Sequence, residues 1–319
     1  MKLLRALRRE GVLGINRRNH EYTLRWNPRR LYPTVDDKLA TKRLCQAAGI
    51  PIPGLIAVAR RQIDVREMIG QLADLSQFVL KPAHGAMGNG ILVVRGREGG
   101  GWRRAGGRRI SSEDLRYHAA SIISGLYALG GQPDVAFVEE LLVVHPDLAE
   151  ISSDGVPDVR VIVHRGIPIM SMTRLPTNRS RGRANLHQGA IGAGVDLATG
   201  RILHAVLDDT PITRHPDTDR PVVGVVVPSF ARVLEIAVAA TDETGLGYVG
   251  ADVVVDARKG PVVLELNARP GLAIQAANRA GLLPRLRAVT ERVRPEAPLA
   301  ERIALGIEIA RTARFVEPA

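Results

Sequence analysis

Short runs of Val, Ile and Leu recur along the chain and are bounded by Gly, Pro and charged residues. Runs of this kind, rich in β-branched residues, predict strands. The predicted strands are 56–59, 78–82, 91–95, 136–142, 248–256 and 261–267. Two hairpins are predicted as well, one over 158–175 with its turn near Arg165 and Gly166, and one that turns at 198–200.

Between the strands, other segments space their apolar residues as a helix would. The segment TVDDKLATKRLCQAAGIPIP predicts a helix with a capping-box-like start at Thr34 and Asp37 and an end at Gly49 and Pro51. Further helices are predicted at 62–75, 112–129 and 229–244, and mostly helical structure beyond Gly271. Residues 177–189 are polar and basic and predict a long loop of the kind that often carries function.

The composition is that of a soluble globular protein, with 45% hydrophobic and 24% charged residues. Cys45 is the one cysteine of the 319 residues, so no intramolecular disulfide can form. No apolar run approaches the roughly 20 residues that span a bilayer. Charged residues interrupt the N-terminal segment before an apolar signal-peptide region forms, so 1–14 predicts an amphipathic helical arm. These features favour a cytoplasmic protein.

The formal net charge of +11 adds a further expectation, because arginines and a lysine crowd the first thirty residues. Such a cluster suits nucleic acid, acidic lipid, an anionic substrate or another acidic partner. A solvated basic surface explains the same charges, and the sequence leaves both interpretations open.

The late strands carry the strongest chemical pattern. Asp252 lies in one apolar strand, and Glu265 and Asn267 share one face of the next because side chains two apart point the same way. Carboxylate and amide oxygens are ligands that Mg²⁺ prefers, so these three residues are candidate metal ligands. Arg269 follows at once, where it could meet an anion. The alternative is that the two acids cap strand ends or pair with surface arginines.

A second pattern is LKPAHGAMGNG, in which Lys81 ends a strand before a glycine-containing loop. Free backbone N–H groups in such a loop can bind phosphate, although the loop is neither a Walker A motif nor GxGxxG before a helix. A lysine inside an apolar strand also needs a partner. Lys38, Glu139, Glu140 and Asp158 have ordinary surface or strand-end interpretations when taken singly.

The remaining candidates are cationic and polar. Arginine forks suit carboxylate and phosphate oxygens, and His187 could act as an acid or base or be structural. The members of this group are Arg160, Arg174, Arg183, Asn185 and His187.

The order of these segments resembles that of ATP-grasp enzymes over about residues 34–290. DK, LKP with its glycine loop, VEELL, DVR, RANLHQG, GADVVVD and LELNARPGL follow one another as in that superfamily. The chain is most similar to ribosomal-protein glutamate ligases and alpha-L-glutamate ligase-like proteins, and also to sugar-transfer-associated ATP-grasp domains. The resemblance implies an α+β fold in which two subdomains grip ATP between antiparallel sheets. The implied organisation is a basic arm at 1–33, an ATP-grasp domain at 34–290 with a small nucleotide-gripping subdomain at about 78–140, and a helical tail at 291–319.

The resemblance also implies roles for the candidates. Lys38 and Lys81 would contact ATP phosphates, and Asp158 would hold the ribose. Asp252, Glu265 and Asn267 would bind two Mg²⁺ ions, with Mn²⁺ as a substitute. Three further groups complete the set: Gly85, Gly88 and Gly90 over the phosphates; Glu139, Glu140, Leu141 and Leu142 at the adenine; and Arg160, Arg174, Arg183, Asn185, His187 and Arg269 at the transferred phosphoryl group and the substrate.

The implied reaction forms an amide through an acylphosphate, with glutamate or a similar amino acid joined to an amine or a peptide acceptor. A kinase-like phosphotransferase is the alternative within the fold, and a catalytically silent nucleic-acid or ribosome-binding protein is the alternative outside it. About 35 residues precede Lys38, where the glutamate ligases carry an N-terminal domain, so the substrate stays open. An acidic macromolecule at the basic arm and a homo-oligomer are the partners the sequence allows.

Overall fold

The computed structural model describes Leu7 and residues 9–85 and 88–312. The chain forms two compact units, each with its own sheet. The small unit comprises Asp37–Leu39 and Pro53–Leu142, and the large unit Met1–Asp36, Ala40–Ile52 and Val143–Ala319. The predicted subdomain at about 78–140 therefore begins too late, because residues from Pro53 onward contribute a strand and a helix to the same unit. Within the described residues, no helix is long and apolar enough to cross a membrane.

The small unit is built on a six-stranded antiparallel sheet in the order β1-β6-β2-β3-β4-β5. Its strands are β1 (Leu55–Ala59), β2 (Phe78–Pro82), β3 (Leu92–Glu98), β4 (Gly101–Arg104), β5 (Arg109–Ile110) and β6 (Ala136–Glu139).

One face of this sheet is apolar and covered by helices Asp64–Gln71 and Ser112–Ile123. Phe78, Leu80 and Val138 point into that core, because alternate residues of a strand face the same side. Lys81 and Glu139 lie on the opposite face by the same alternation. The second helix begins with a complete capping box between Ser111 and Asp114.

The large unit is built on a seven-stranded antiparallel sheet in the order β11-β10-β9-β8-β7-β12-β13. Its strands are β7 (Asp158–His164), β8 (Ile167–Leu175), β9 (Ile191–Val195), β10 (Ile202–Leu207), β11 (Thr210–Ile212), β12 (Tyr248–Asp256) and β13 (Gly260–Asn267). The three central strands β7, β8 and β12 are almost wholly buried, which explains their near-continuous apolar sequence.

Helices cover both faces of this sheet. Phe230–Glu243 packs its apolar stripe on one face. Ile274–Asn278 and Leu283–Arg292 pack on the other, and Leu299–Thr312 contributes residues to both cores. Short helices lie at Pro33–Asp36 and Pro146–Ala149, and a longer helix at Lys38–Ala47.

The N-terminal residues differ from the predicted basic arm at 1–33. Helical segments follow one another at Ile15–Arg17, Arg18–Thr23 and Leu24–Trp26, the middle one a π-helix. Tyr22 is buried in the core of the large unit, and Asn27 bonds the backbone of Tyr248 and Ala268. Residues 1–33 are therefore not a separate arm. Half of the predicted helix at 1–14 lies outside the described residues, and residues 10–14 are not helical. Residues 313–319 of the predicted tail also lie outside the described residues.

Most predicted strands are confirmed, β2 and β12 to the residue, as is the hairpin turn at Arg165 and Gly166. The helix predicted from Thr34 is wrong at its start. The Thr34 hydroxyl donates to the Leu31 carbonyl, and Asp37 accepts from the Leu39 N–H at 2.8 Å, so the helix begins at Lys38. The helices predicted at 62–75 and 112–129 are shorter, at Asp64–Gln71 and Ser112–Ile123.

Candidate functional site

The late strands bring the predicted acidic residues together in the large unit. Asp252 is paired with Glu265 across β12 and β13, and Asn267 lies two residues further on the same strand. The Asn267 side-chain nitrogen is 3.2 Å from an Asp252 oxygen and 3.3 Å from a Glu265 oxygen. The three predicted metal-ligand candidates are thus neighbours, with Asp252 fully buried and the other two half-buried.

Arginines engage the same carboxylate, as in the alternative that the sequence left open, but the sequence did not identify which arginines. Arg160 lies opposite Asp252 in β7 and donates to both of its oxygens, at 2.7 Å from Nε and 2.6 Å from Nη2. Arg174 donates to Asp252 at 2.7 Å and to both oxygens of Asp158, at 2.6 and 2.5 Å. Two carboxylates and two guanidinium groups therefore form one buried network, called the charge network below: Asp158, Arg160, Arg174 and Asp252.

The charges in this network are strongly coupled. Burial favours the neutral acids, but Arg160 and Arg174 hold the pKa of Asp252 well below its usual range. Burial, reinforced by the negative charge of Asp252, raises the pKa of Asp158 to about 6 against the opposing effect of Arg174. Burial opposes the charge on Arg174 too, yet Asp158 and Asp252 raise the pKa of Arg174 above its ordinary value.

The donor set is compatible with a hard divalent cation. Glu265 offers carboxylate oxygens, and half a turn of the Asn267 amide would present its oxygen beside them. Asp252 is already paired with two arginines, so Glu265 carries the less compensated negative charge of the two carboxylates. Over the described ranges, no group of three or more His, Cys, Asp or Glu side chains is placed to hold a metal. A site here would use two carboxylates and one amide.

Asp158, the residue predicted to bind ribose, is paired with an arginine. Both of its oxygens accept from Arg174, and its side chain is almost completely buried. Its position is therefore set by an ion pair that holds the guanidinium of Arg174 in a fixed orientation.

Arg269 is exposed and lies over the Tyr32 ring at 5.1 Å, with a guanidinium nitrogen 3.6 Å from Asp36. Arg183 and His187 are exposed in the loop after β8, and Asn185 is half-buried there. The Asn185 side chain accepts from the His187 N–H at 3.0 Å, which caps a short 3₁₀ turn. Arg183 donates to Gln188 at 3.3 Å. None of these four residues bonds to the charge network within the described structure.

The small unit contains a buried ion pair on the polar face of its sheet. Lys81 of β2 contacts Glu139 of β6, and both side chains are nearly inaccessible to solvent. The partner that an apolar-strand lysine requires is therefore Glu139. Glu140 exchanges two bonds with Gly54, donating from its backbone N–H at 2.9 Å and accepting on its side chain at 2.7 Å. β6 ends at Glu139, and Glu140 bonds the residue that directly precedes β1.

Residues 140–142 follow β6, with Leu142 buried and Leu141 half-buried. Beyond the last strand pair at Glu139, the Glu140 N–H donates to the Gly54 carbonyl. Adenine recognition commonly uses backbone donors and acceptors of such a segment. The structure thus retains these residues as candidates.

The glycine loop connects β2 to β3, and its described residues include Gly85, Gly88 and Gly90. Lys38 donates from Nζ to the Gly85 carbonyl at 2.6 Å, so its amine binds the loop itself. The loop also involves residues that the sequence pattern did not single out. His84 donates to Asp134, and His118 bonds the Gly90 carbonyl at 2.8 Å. The sequence feature that could have identified His118 is its position as a polar residue on the half-buried side of the helix Ser112–Ile123.

The sequence profile of the family described as sugar-transfer associated ATP-grasp matches residues 17–291. No curated protein matches the chain. The matched region contains every candidate residue of both units.

Solved structures show weaker similarity. The ATP-grasp ligase PsnB, complexed with precursor peptide PsnA2 and AMPPNP, is 19% identical over 88% of this chain, with a TM-score of 0.40. This chain spans 61% of that PsnB chain, less than two thirds of its length. D-cycloserine synthetase DcsG is 16% identical, over 84% of this chain and 73% of DcsG, with a TM-score of 0.46. The D-alanine–D-alanine ligase of Bacillus anthracis, complexed with ATP, is 14% identical over 89% of this chain and 69% of its own, with a TM-score of 0.44.

Proposed function

Because the chain belongs to the sugar-transfer associated ATP-grasp family and has its α+β fold, we propose that it is an ATP- and Mg²⁺-dependent ligase that joins a carboxylate to an amine. The charge network beside Glu265 and Asn267 carries this proposal. It places fixed arginine donors and hard oxygen ligands next to each other, as phosphoryl transfer requires.

Arg160 and Arg174 suit phosphoryl transfer because their carboxylate partners fix their orientation without using every N–H donor of the guanidinium groups. Arg160 and Arg174 each bond through Nε and Nη2, and no bond of their Nη1 groups occurs within the described residues. Each Nη1 carries two N–H donors. We therefore assign these groups to the oxygens of the transferred phosphoryl group, with Arg269 as a third cation.

Mg²⁺ would be held by Glu265 and Asn267, with Asp252 as the third ligand. When bound, the metal would neutralise phosphate charge and orient the phosphates. The proposal includes two Mg²⁺ ions. Mn²⁺ would replace Mg²⁺ on the same oxygens.

The small unit supplies the nucleotide residues in this proposal. Lys81, held by Glu139, and the backbone N–H groups of Gly88 and Gly90 would bind phosphates. Residues 139–142 would bind adenine. Lys38 would act by holding the loop at Gly85, a change from its predicted direct contact with phosphate.

The proposed reaction begins when a substrate carboxylate attacks the γ-phosphate of ATP and ADP departs. An amine then attacks the acylphosphate carbon, the amide bond forms, and phosphate leaves. No protein nucleophile takes part, which agrees with Cys45, whose burial raises the pKa of its thiol to about 11.

The substrates are proposed from the resemblance of the sequence. One substrate would be an amino acid such as glutamate. The other would be an amine, a peptide or a carboxylate acceptor. Arg183, Asn185 and His187 would contact them, because this loop is polar and accessible. The exposed arginines Arg29 and Arg30 remain a candidate surface for an acidic partner, and a homo-oligomer remains a proposal.

The test combines ATP, Mg²⁺ and a mixture of amino acids, with products identified by mass spectrometry. Parallel reactions contain hydroxylamine, which traps an acylphosphate as a hydroxamate. A ligase gives ADP, a new amide and a hydroxamate. A phosphotransferase gives ADP and a phosphorylated hydroxyl without hydroxamate.

Two variants make the test specific. Glu265→Gln should abolish product formation because a metal-binding carboxylate is lost, whereas Glu291→Gln, at an exposed helix position, should leave it unchanged. Full activity of Glu265→Gln would refute the metal assignment.

A further inference from the structure

The glycine loop of the small unit is anchored at both of its described ends. At one end, Lys38 bonds the Gly85 carbonyl at 2.6 Å, and Gly85 forms a bridge with Ala128. At the other end, Gly90 meets side chains from the helix Ser112–Ile123 and from the segment that follows it. The loop is thus held by residues that lie far from it in sequence.

His118 provides the polar contact at the Gly90 end. Its Nε2 lies 2.8 Å from the Gly90 carbonyl oxygen. A carbonyl can only accept, so Nε2 carries the hydrogen and donates it. The imidazole is half-buried, and burial lowers its pKa, so the ring is neutral at physiological pH. A neutral ring protonated at Nε2 makes this bond without adding a charge.

Tyr127 provides the packing contact at the same end. Its ring lies 5.4 Å from the His118 ring, centroid to centroid. Gly90 has a φ of +76°, and a Cβ at this position would lie 2.7 Å from a Tyr127 ring carbon. The backbone of Gly90 therefore rests against the tyrosine ring. Tyr127 directly precedes Ala128, which bridges to Gly85, so one short segment supports both ends of the loop.

We propose that His118 and Tyr127 are positioning residues that hold the Gly90 end of the glycine loop in the conformation that binds ATP phosphates. This inference rests on the proposed function, because it assigns the loop to phosphate binding. Fixing a loop before binding removes part of the ordering cost that the ligand would otherwise have to offset. His118 and Tyr127 themselves need not touch the nucleotide.

The test measures MgATP affinity by calorimetry for a pair of His118 variants. His118→Phe keeps an aromatic ring but has no donor, and we expect about tenfold weaker binding. His118→Gln has an amide N–H donor but no ring, and should bind MgATP more tightly than His118→Phe. Tyr127→Phe keeps the ring against Gly90 and should match the wild type. Tyr127→Ala removes it and should weaken binding by a similar factor.

Adenosine separates a loop effect from general damage. It has no phosphates, so its affinity, measured by NMR titration, should be the same in His118→Phe and the wild type. Urea titrations of each variant report folding directly. Wild-type MgATP affinity in both His118→Phe and Tyr127→Ala would overturn the inference, as would an equal loss of adenosine and MgATP affinity. A wild-type protein that does not bind MgATP would overturn the proposed function instead.

Discussion

Replacing Arg174 by Met tests the charge network most severely. The side chain keeps a comparable apolar length but loses the guanidinium group that donates three hydrogen bonds, two to Asp158 and one to Asp252. Asp252 keeps its bidentate partner Arg160. Asp158 loses both donors in a position where only 3% of the residue is exposed. The substitution therefore leaves one buried carboxylate without its cation.

The expected cost follows from that orphaned charge. Removing one partner of a buried ion pair typically costs about 3–5 kcal/mol. We expect the free energy of unfolding of the large unit to fall by about this amount at pH 8. The cost should shrink toward pH 5. The pKa of Asp158, already raised to about 6, rises further without Arg174, so the folded variant binds a proton there that the unfolded chain does not. Stability conferred by such a raised pKa is present at low pH and lost as pH increases.

Urea titration measures both effects. Trp26 lies in the large unit and Trp102 in the small one, so a Trp102→Phe background makes the fluorescence report the large unit alone. Adding Asp158→Asn to Arg174→Met should recover at least half of the loss, because the amide carries no charge. Arg183→Met, in an exposed loop, is the matched control and should change little. A cost below about 1 kcal/mol, or one that does not depend on pH, would refute the reasoning.

Three further predictions concern the large unit. Asn27→Ala leaves three buried backbone groups without their partner and should cost about 2–4 kcal/mol by urea titration, whereas the exposed Asn16→Ala should cost almost nothing. Burial lowers the pKa of His164 to about 4, so the wild type should lose about 3 kcal/mol of stability between pH 7 and pH 4, and His164→Leu should lack that component of the pH profile. Gly194→Ala would place a Cβ 2.4 Å from the Ala277 carbonyl oxygen and should lower Tm by several degrees, whereas Gly14→Ala, with nothing within 4 Å, should not.

The sequence predicted the strands well because their physical cause is local. β2 and β12 match to the residue, since their apolar runs end at turn-forming or charged residues. The ends of strands and helices were harder to predict than their positions. The strand predicted over 136–142 stops at Glu139, and Glu140 bonds Gly54, a residue far away in sequence.

The sequence could place three of the candidate residues close together, but it could not predict how the charged side chains pair. Asp252, Glu265 and Asn267 are neighbours, as their alternation within two strands predicts. That Arg160 lies opposite Asp252 depends on the register between β7 and β12, which no local pattern specifies. The N-terminal residues were mistaken for a free arm for a similar reason. Arg18 is buried because its guanidinium bonds the Pro270 carbonyl at 2.8 Å, a contact across 252 residues of chain.

Calorimetry of ATP binding to the wild-type protein, with Mg²⁺ and with EDTA, tests the central claim most directly. We expect a saturable heat of binding in Mg²⁺, with an affinity at least tenfold weaker in EDTA, and loss of this Mg²⁺ dependence in Glu265→Gln. Absence of ATP binding, or equal affinity with and without the divalent cation, would contradict the account.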